Sequence, residues 1–481
     1  MGAQQSANTA ITSTQLEAWA EAFSADPQAR IAQNALTQNA LADVAQDHAK
    51  ATALSGASFS LKIDAWDVTN QEKSGRCWMF AGYNAAGRPE VFKETGLKKF
   101  EFSFAYLQFF DLLEKANVFL RNICDLADAP FPGEFLVSDV GAKFAGKSAN
   151  EIEPGADNAS GNCATDSWIE RAARVVATIL ENPVYDGGWW ESFAALVQKY
   201  GAVPKYAMPE TESSPNTTEM DSVICRRLRR AAWEIHHAQP EARGDIREAA
   251  LADVYRILRI HRGTPPQQFM WQWEDKDGEF HREGVLTPQE FAQKAVPDIG
   301  EYVTLLVDPR LEVGQAYAVD RRESMAGYPQ VFHVVSMDTL REATLATLRA
   351  GEPVWMACDV SKEMDRKKGI GTPGLFDEAG IYGVDTSLEN LAGLSTLGYM
   401  PTHAMAFTGV DLDESGQPLR WRIENSWGED NGDKGFVTVS DEWVEAHTYV
   451  VVVKNDAVPE QWRAGIDDPD ARLLPAWDIL A

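Results

Sequence analysis

A thiol, an imidazole and two side-chain amides stand where acyl transfer would need them. Cys77 follows Gln71 by six residues, with Gly75 in the turn between. It opens Trp78–Gly87, which carries no formal charge before Arg88. A segment apolar on nearly all sides predicts a buried helix. At the N-terminus of such a helix the macrodipole favours thiolate over thiol. Gln71 is placed to donate a hydrogen bond to an oxyanion beside that sulfur.

A nucleophilic thiol needs a base, and the base needs a group to orient it. Ala404–Val410 is small and apolar and predicts a buried strand starting just after His403. Leu419–Glu424 alternates apolar and charged residues, the pattern of a half-buried strand, and runs into Asn425. Two strand ends 22 residues apart (425 minus 403) bring imidazole and amide side by side. The amide then fixes the ring's tautomer, as the third member of a triad does, and Trp427 shields their bond from water.

These stretches (Gln71, Ser74-Gly75-Arg76-Cys77-Trp78, Thr402-His403-Ala404-Met405 and Glu424-Asn425-Ser426-Trp427-Gly428) resemble the papain-like cysteine peptidases. Within them the match is to the aminopeptidase C and bleomycin hydrolase family, supported by Phe100–Tyr106, Asp186–Trp190, Tyr200–Lys205, Tyr206–Thr211 and Leu474–Asp478. The similarity runs from about residue 12 to the C-terminus. It implies Cys77 as nucleophile, His403 as general acid/base, Asn425 as orienting residue and Gln71 as oxyanion donor. Asp186, Gly187 and Gly188 resemble the strip that pairs with substrate backbone, where glycine permits close approach. Ser74 stands where secreted relatives carry a disulfide-forming cysteine, which fits a reducing compartment.

The resemblance further implies a substrate peptide with a free N-terminus and a C-terminal arm entering the cleft. The carboxylate of Ala481 would then face the substrate amine, although Ile479-Leu480-Ala481 is a short ending for this family. A homohexameric ring is implied as well. The chemistry calls for no metal and no cofactor. Two other readings use the same residues: a papain-like endopeptidase, and a non-enzymatic scaffold on a peptidase fold.

Composition agrees with a large soluble enzyme. The 481 residues suffice for a substantial core, and a net charge of −28 (44 minus 72) repels phosphate backbones and anionic membranes. The basic cluster Arg226–Arg230 reads as the outer face of a helix whose Val223, Ile224, Leu228 and Ala231 turn inward, not as a nucleic-acid site. Five dispersed cysteines (77, 124, 163, 225 and 358) suggest neither disulfides nor a zinc centre. His236, His237, His261, His281, His333 and His447 read as structural or solvated. Met1–Ser6 fits the N-myristoylation pattern, but without a polybasic companion a single acyl chain anchors weakly. The expectation is a cytoplasmic protein without membrane attachment.

The expected fold is α+β, a papain-like pair of lobes with large helical insertions. Cys77 and His403 lie 326 residues apart, against roughly 130–150 in simpler papain-like enzymes, so nearly 200 residues are inserted. We expect an N-terminal arm and helices over 1–60 and a helical lobe carrying Cys77 over 61–210. An inserted helical region follows over 211–300. An antiparallel, barrel-like lobe with His403 and Asn425 spans 301–460, and the arm occupies 461–481. Residues 1–12 read as disordered, and Gly141–Asp166, rich in Gly, Ala, Asn and Ser, as a surface loop with Cys163 exposed on it.

Overall fold

The computed structural model describes residues 10–56, 58–63, 66–97, 99–134, 163–296, 299–466 and 470–481. The Met1–Ser6 pattern and residues 141–162 of the expected loop lie outside them. Cys163 opens the helix Cys163–Glu181, so its backbone belongs to a helix and not to the expected loop.

Among the described residues, fourteen strands appear in chain order. They are β1 (Leu61–Lys62), β2 (Phe269–Glu274), β3 (Phe280–Leu286), β4 (Tyr302–Leu306), β5 (Ala316–Val319), β6 (Phe332–Val334) and β7 (Val354–Cys358). Then follow β8 (Met364–Asp365), β9 (Ile370–Gly371), β10 (His403–Leu412), β11 (Pro418–Glu424), β12 (Phe436–Ser440), β13 (Thr448–Lys454) and β14 (Arg472–Leu474). One sheet runs β14-β5-β6-β4-β13-β7-β10-β11-β12-β9-β8, with β1 beside β10.

The fold is mixed α+β. The central run from β4 to β12 is antiparallel throughout, but β4/β6, β9/β12 and β14/β5 pair in parallel. The sheet is therefore mixed, and its pairing path stays open among the described residues instead of closing into the expected barrel. The parallel pairs involve strands of two to five residues joined by long excursions, which residue alternation cannot reveal.

Cys77 begins a helix, Cys77–Gly82, continued by a π-helical turn over Tyr83–Gly87 and the helix Arg88–Thr95. Trp78 through Gly87 are all buried, as a charge-free segment demands. Two glycines allow this depth. A Cβ on Gly82 would meet the Phe193 ring at 2.7 Å, and one on Gly87 would meet Phe102 at 2.8 Å. The Cys77 helix packs against β10 and β7, and Trp355 on β7 donates its indole N–H to the Trp78 carbonyl at 3.1 Å.

The inserted region departs from its expectation. Thr218–His237 and Pro240–Arg262 are the two long helices anticipated, with Ile224, Leu228 and Ala231 buried beneath the arginines. Arg227 meets Asp253 at 2.7 Å and Arg230 meets Glu234 at 2.8 Å, so two arginines of the cluster are already neutralised within the chain. Beyond them, however, β2 and β3 form a separate two-stranded hairpin inside the segment expected to be helical. Its Phe269, Trp271 and Trp273 alternate with Met270, Gln272 and Glu274, the strand pattern that the strongly helical context obscured.

Helix and sheet are joined by one deeply buried ion pair. Arg88, in the helical run begun by Cys77, donates to both oxygens of Glu424 at 2.5 and 2.6 Å. Glu424 is the last residue of β11 and directly precedes Asn425, and the two side chains are 2% and 0% exposed. Trp66 adds its indole N–H to Glu424 at 2.8 Å.

Candidate active site

The Cys77 sulfur lies against the strand residue that follows His403. The backbone N–H groups of Ala404 and Trp78, with that of Cys77 itself, lie close enough to favour its thiolate. His403, the first residue of β10, donates from Nε2 to Asn425 Oδ1 at 2.8 Å. Because a carbonyl oxygen only accepts, that bond places the ring proton on Nε2 and leaves the Nδ1 lone pair free. The backbone N–H of Ser426 donates to the same Asn425 oxygen at 2.7 Å, which fixes the amide's orientation. Trp427 stacks on the imidazole with centroids 4.8 Å apart, and both His403 and Asn425 are buried.

Gln71 is tied to the same strand end. Its Oε1 accepts from Ser426 Oγ at 2.6 Å, and its backbone N–H donates to the Ser426 carbonyl at 2.8 Å. One side-chain N–H of Gln71 goes to the Ser74 carbonyl at 2.6 Å, and the other is unengaged among the described residues. The turn that achieves this holds Glu72 at φ 55°, a left-handed conformation costly for a residue with a side chain.

Electrostatics differ from the expected thiolate. Burial pushes the Cys77 thiol up to about 11, outweighing the three N–H donors, while the nearby Asp186 charge adds to the rise. Burial also pushes His403 down to about 4, with the Asn425 bond opposing and the Arg366 charge reinforcing. Desolvation penalises each charge alone, so the helix terminus does not decide the resting state by itself. Both shifts favour the uncharged pair, with the thiol keeping its proton and the ring holding its own on Nε2.

The strip at 186–188 is built from below. Asp186 spends its carboxylate internally: Oδ2 accepts from Gly75 N–H at 3.0 Å and Thr217 Oγ1 at 2.5 Å, and Oδ1 from Gln108 at 2.5 Å. Its side chain therefore holds the strip in place. Gly188 owes its lack of a side chain to Trp78, whose indole would sit 2.6 Å from a Cβ, whereas Gly187 meets only ordinary contacts. Lys115, which the sequence reading passed over, donates to Tyr185 O at 2.8 Å, Gly187 O at 2.6 Å and Asp111 at 2.7 Å. A lone lysine on the buried face of the helix Phe104–Asp125 was its signal.

The arm is anchored at several points. β14 pairs with β5, Arg310 meets Asp478 at 3.1 Å, Arg174 lies over the Trp477 ring, and Leu480 is buried. Ala481 is half-buried at its end.

Cys77 near the strand residue after His403, with His403 bonded to Asn425, is consistent with a cysteine-type peptidase, and the relatives of the chain show that class. Residues 10–139 and 164–481 match the peptidase C1-like family, and the chain belongs to it. It is 30% identical to bleomycin hydrolase of Rattus norvegicus, over 98% of this chain and 99% of that protein. It is 32% identical to aminopeptidase C of Lactococcus lactis subsp. cremoris, over the same shares of each. The crystal structure of PepW from Lactobacillus rhamnosis HN001 superposes with a TM-score of 0.85 at 30% identity, covering 98% of both chains.

Replacing Asn425 by alanine should leave the fold intact and lower kcat by about 10²-fold, at the low end of what positioned acid–base groups contribute. The Asn425 bond raises the His403 pKa, so its loss should move the acid limb of the kcat–pH profile to lower pH. Unchanged kcat, or a limb displaced upward, would remove Asn425 from this role.

Proposed function

We propose that the chain is a cytoplasmic aminopeptidase that hydrolyses the N-terminal peptide bond of oligopeptides through an acyl-enzyme. The single observation carrying this reading is the His403–Asn425 bond beside a sulfur held by the next residue of the same strand. Cys77 attacks the first peptide carbonyl as its proton passes to His403. The Cys77 backbone N–H and the spare N–H of Gln71 stabilise the tetrahedral oxyanion, each donor contributing on the order of 10²–10³ in rate. His403 protonates the departing amine, and then takes a proton from the water that releases the acyl group. Bleomycin-like amides enter by the same route.

The restriction to N-termini is assigned to the arm, with Ala481 its substrate-facing residue and the 186–188 backbone pairing with the peptide. The names of the relatives, aminopeptidase C and bleomycin hydrolase, support this over an endopeptidase. The ion pair of Asp478 and the burial of Leu480 support a fixed arm. Unpaired Cys77, Cys124, Cys225 and Cys358 support a reducing compartment, and no helix among the described residues is long and apolar enough to cross a membrane. The homohexamer rests on the resemblance, exposed Trp233, Ile260, Met270 and Val285 on the inserted region offer apolar surface for a subunit contact, and sedimentation at monomer mass would overturn it.

A panel of aminoacyl fluorogenic amides tests the activity. Hydrolysis should require reductant, vanish in Cys77→Ala and fall sharply when the substrate amine is blocked. Equal cleavage of blocked and free substrates would make the enzyme an endopeptidase, and no cleavage with a fully titratable thiol would favour the scaffold. Removing Leu480 and Ala481 should weaken aminopeptidase action and permit cleavage of blocked peptides. If the shortened chain digests blocked peptides no better than the parent, the arm does not set the specificity.

A further inference from the structure

Away from Cys77, at the end of the helix Thr218–His237, three side chains converge whose other polar atoms are already committed. His236 Nδ1 lies 2.7 Å from the Ala127 carbonyl, and His237 Nδ1 lies 3.0 Å from the Trp233 carbonyl. Carbonyls only accept, so both rings carry a proton on Nδ1. Glu134 Oε2 accepts the Phe131 N–H at 2.8 Å, which leaves Oε1 facing the histidines. The ligand-capable atoms of Glu134, His236 and His237 all lie within 4.8 Å of one another.

His236 Nε2 faces Glu134 Oε1 at 3.0 Å. With Nδ1 already protonated, a neutral His236 would oppose two lone pairs there. A proton or a cation has to lie between them. The edge of a tetrahedral site with bonds of roughly 2.0–2.1 Å is about 3.4 Å, so a small outward shift of the Glu134 carboxylate would let both atoms bind one metal ion. Aromatic neighbours restrict both rings: Phe131 stacks on His236 at 4.3 Å and Trp233 packs on His237 at 3.9 Å. Imidazoles that donate their second nitrogen to a main-chain carbonyl, with a carboxylate likewise held, are oriented as metal ligands usually are.

We infer that Glu134, His236 and His237 form a zinc site, with His236 Nε2, His237 Nε2 and Glu134 Oε1 as ligands and water in the fourth position. Two imidazoles and one carboxylate suit borderline divalent ions, zinc above calcium or magnesium. The ion would tie the end of the inserted helix to the turn Pro132–Glu134, at a distance in sequence of about a hundred residues. It has no part in the peptidase chemistry.

The other candidate cluster, Asp275, Glu279 and His281 on the hairpin, holds its carboxylate in the same way but offers one imidazole with two carboxylates, a harder ligand set than zinc favours.

The test is a zinc titration of the full chain, without a polyhistidine tag and stripped with chelator. Cys77 is first alkylated so that the active site cannot take the ion. One Zn²⁺ per chain should bind and raise Tm. His237→Asn and Glu134→Gln should each weaken binding by more than about tenfold. His237 is exposed, so its variant should keep the parent Tm without zinc, and His281→Asn should bind as the parent does. Absence of stoichiometric uptake would mean that a proton occupies the His236–Glu134 contact, and the inference fails. It fails equally if binding survives His237→Asn or is lost in His281→Asn.

Discussion

A guanidinium and a carboxylate, both withdrawn from water, connect the helix that begins at Cys77 to the strand end that carries Asn425. Desolvating either ion costs several kcal/mol, and their attraction offsets this only when the geometry is good. Here Arg88 meets both oxygens of Glu424, while Trp66 donates to the carboxylate and the Asp67 carbonyl accepts from Arg88 at 3.3 Å. Of the pair's own polar atoms, only the Nε of Arg88 finds no partner among the described residues. Such a pair favours one arrangement strongly, because any slip between helix and strand strands two charges in an apolar interior. Gln71 repeats the connection on the other side of Asn425, through Ser426.

That rigidity bears on the chemistry. Burial drives the thiol and the imidazole toward their uncharged forms, with Cys77 raised to about 11 and His403 lowered to about 4. Fixed dipoles around such groups need no reorganisation as charge develops. The N–H groups of Cys77, Trp78 and Ala404 are such dipoles around the sulfur. Beneath the strip, Lys115, Gln108 and Thr217 perform the same service for the backbone at 185–188.

The residues of the site were legible because each sits at a change of pattern. Cys77 stands where a charge-free segment starts, His403 where a small apolar strand starts, and Asn425 where an alternating strand ends. What escaped the sequence depends on partners far away in the chain. The parallel pairing of β14 with β5 joins residues some 155 positions apart (472 minus 317), and nothing in either triplet announces the other. The place of Asp186 in the strip came from resemblance, and the bonds of its carboxylate to Gln108 and Thr217 could not be read from the sequence. The hairpin of β2 and β3 was hidden by the strongly helical stretches that precede it. His236 and His237, read as structural or solvated, bond the Ala127 and Trp233 carbonyls, while the approach of Glu134 to His236 joins residues 102 positions apart.

A double-mutant cycle on Arg88 and Glu424 tests the central coupling most directly, with stability and kcat read for Arg88→Met, Glu424→Gln and the pair together. Each single change should cost about 3–5 kcal/mol by leaving its partner buried and unpaired. Each should also reduce kcat, whereas the double variant should recover much of both losses. Strictly additive stability changes, or single variants that keep full kcat, would contradict the view that this ion pair holds the thiol and the imidazole in register.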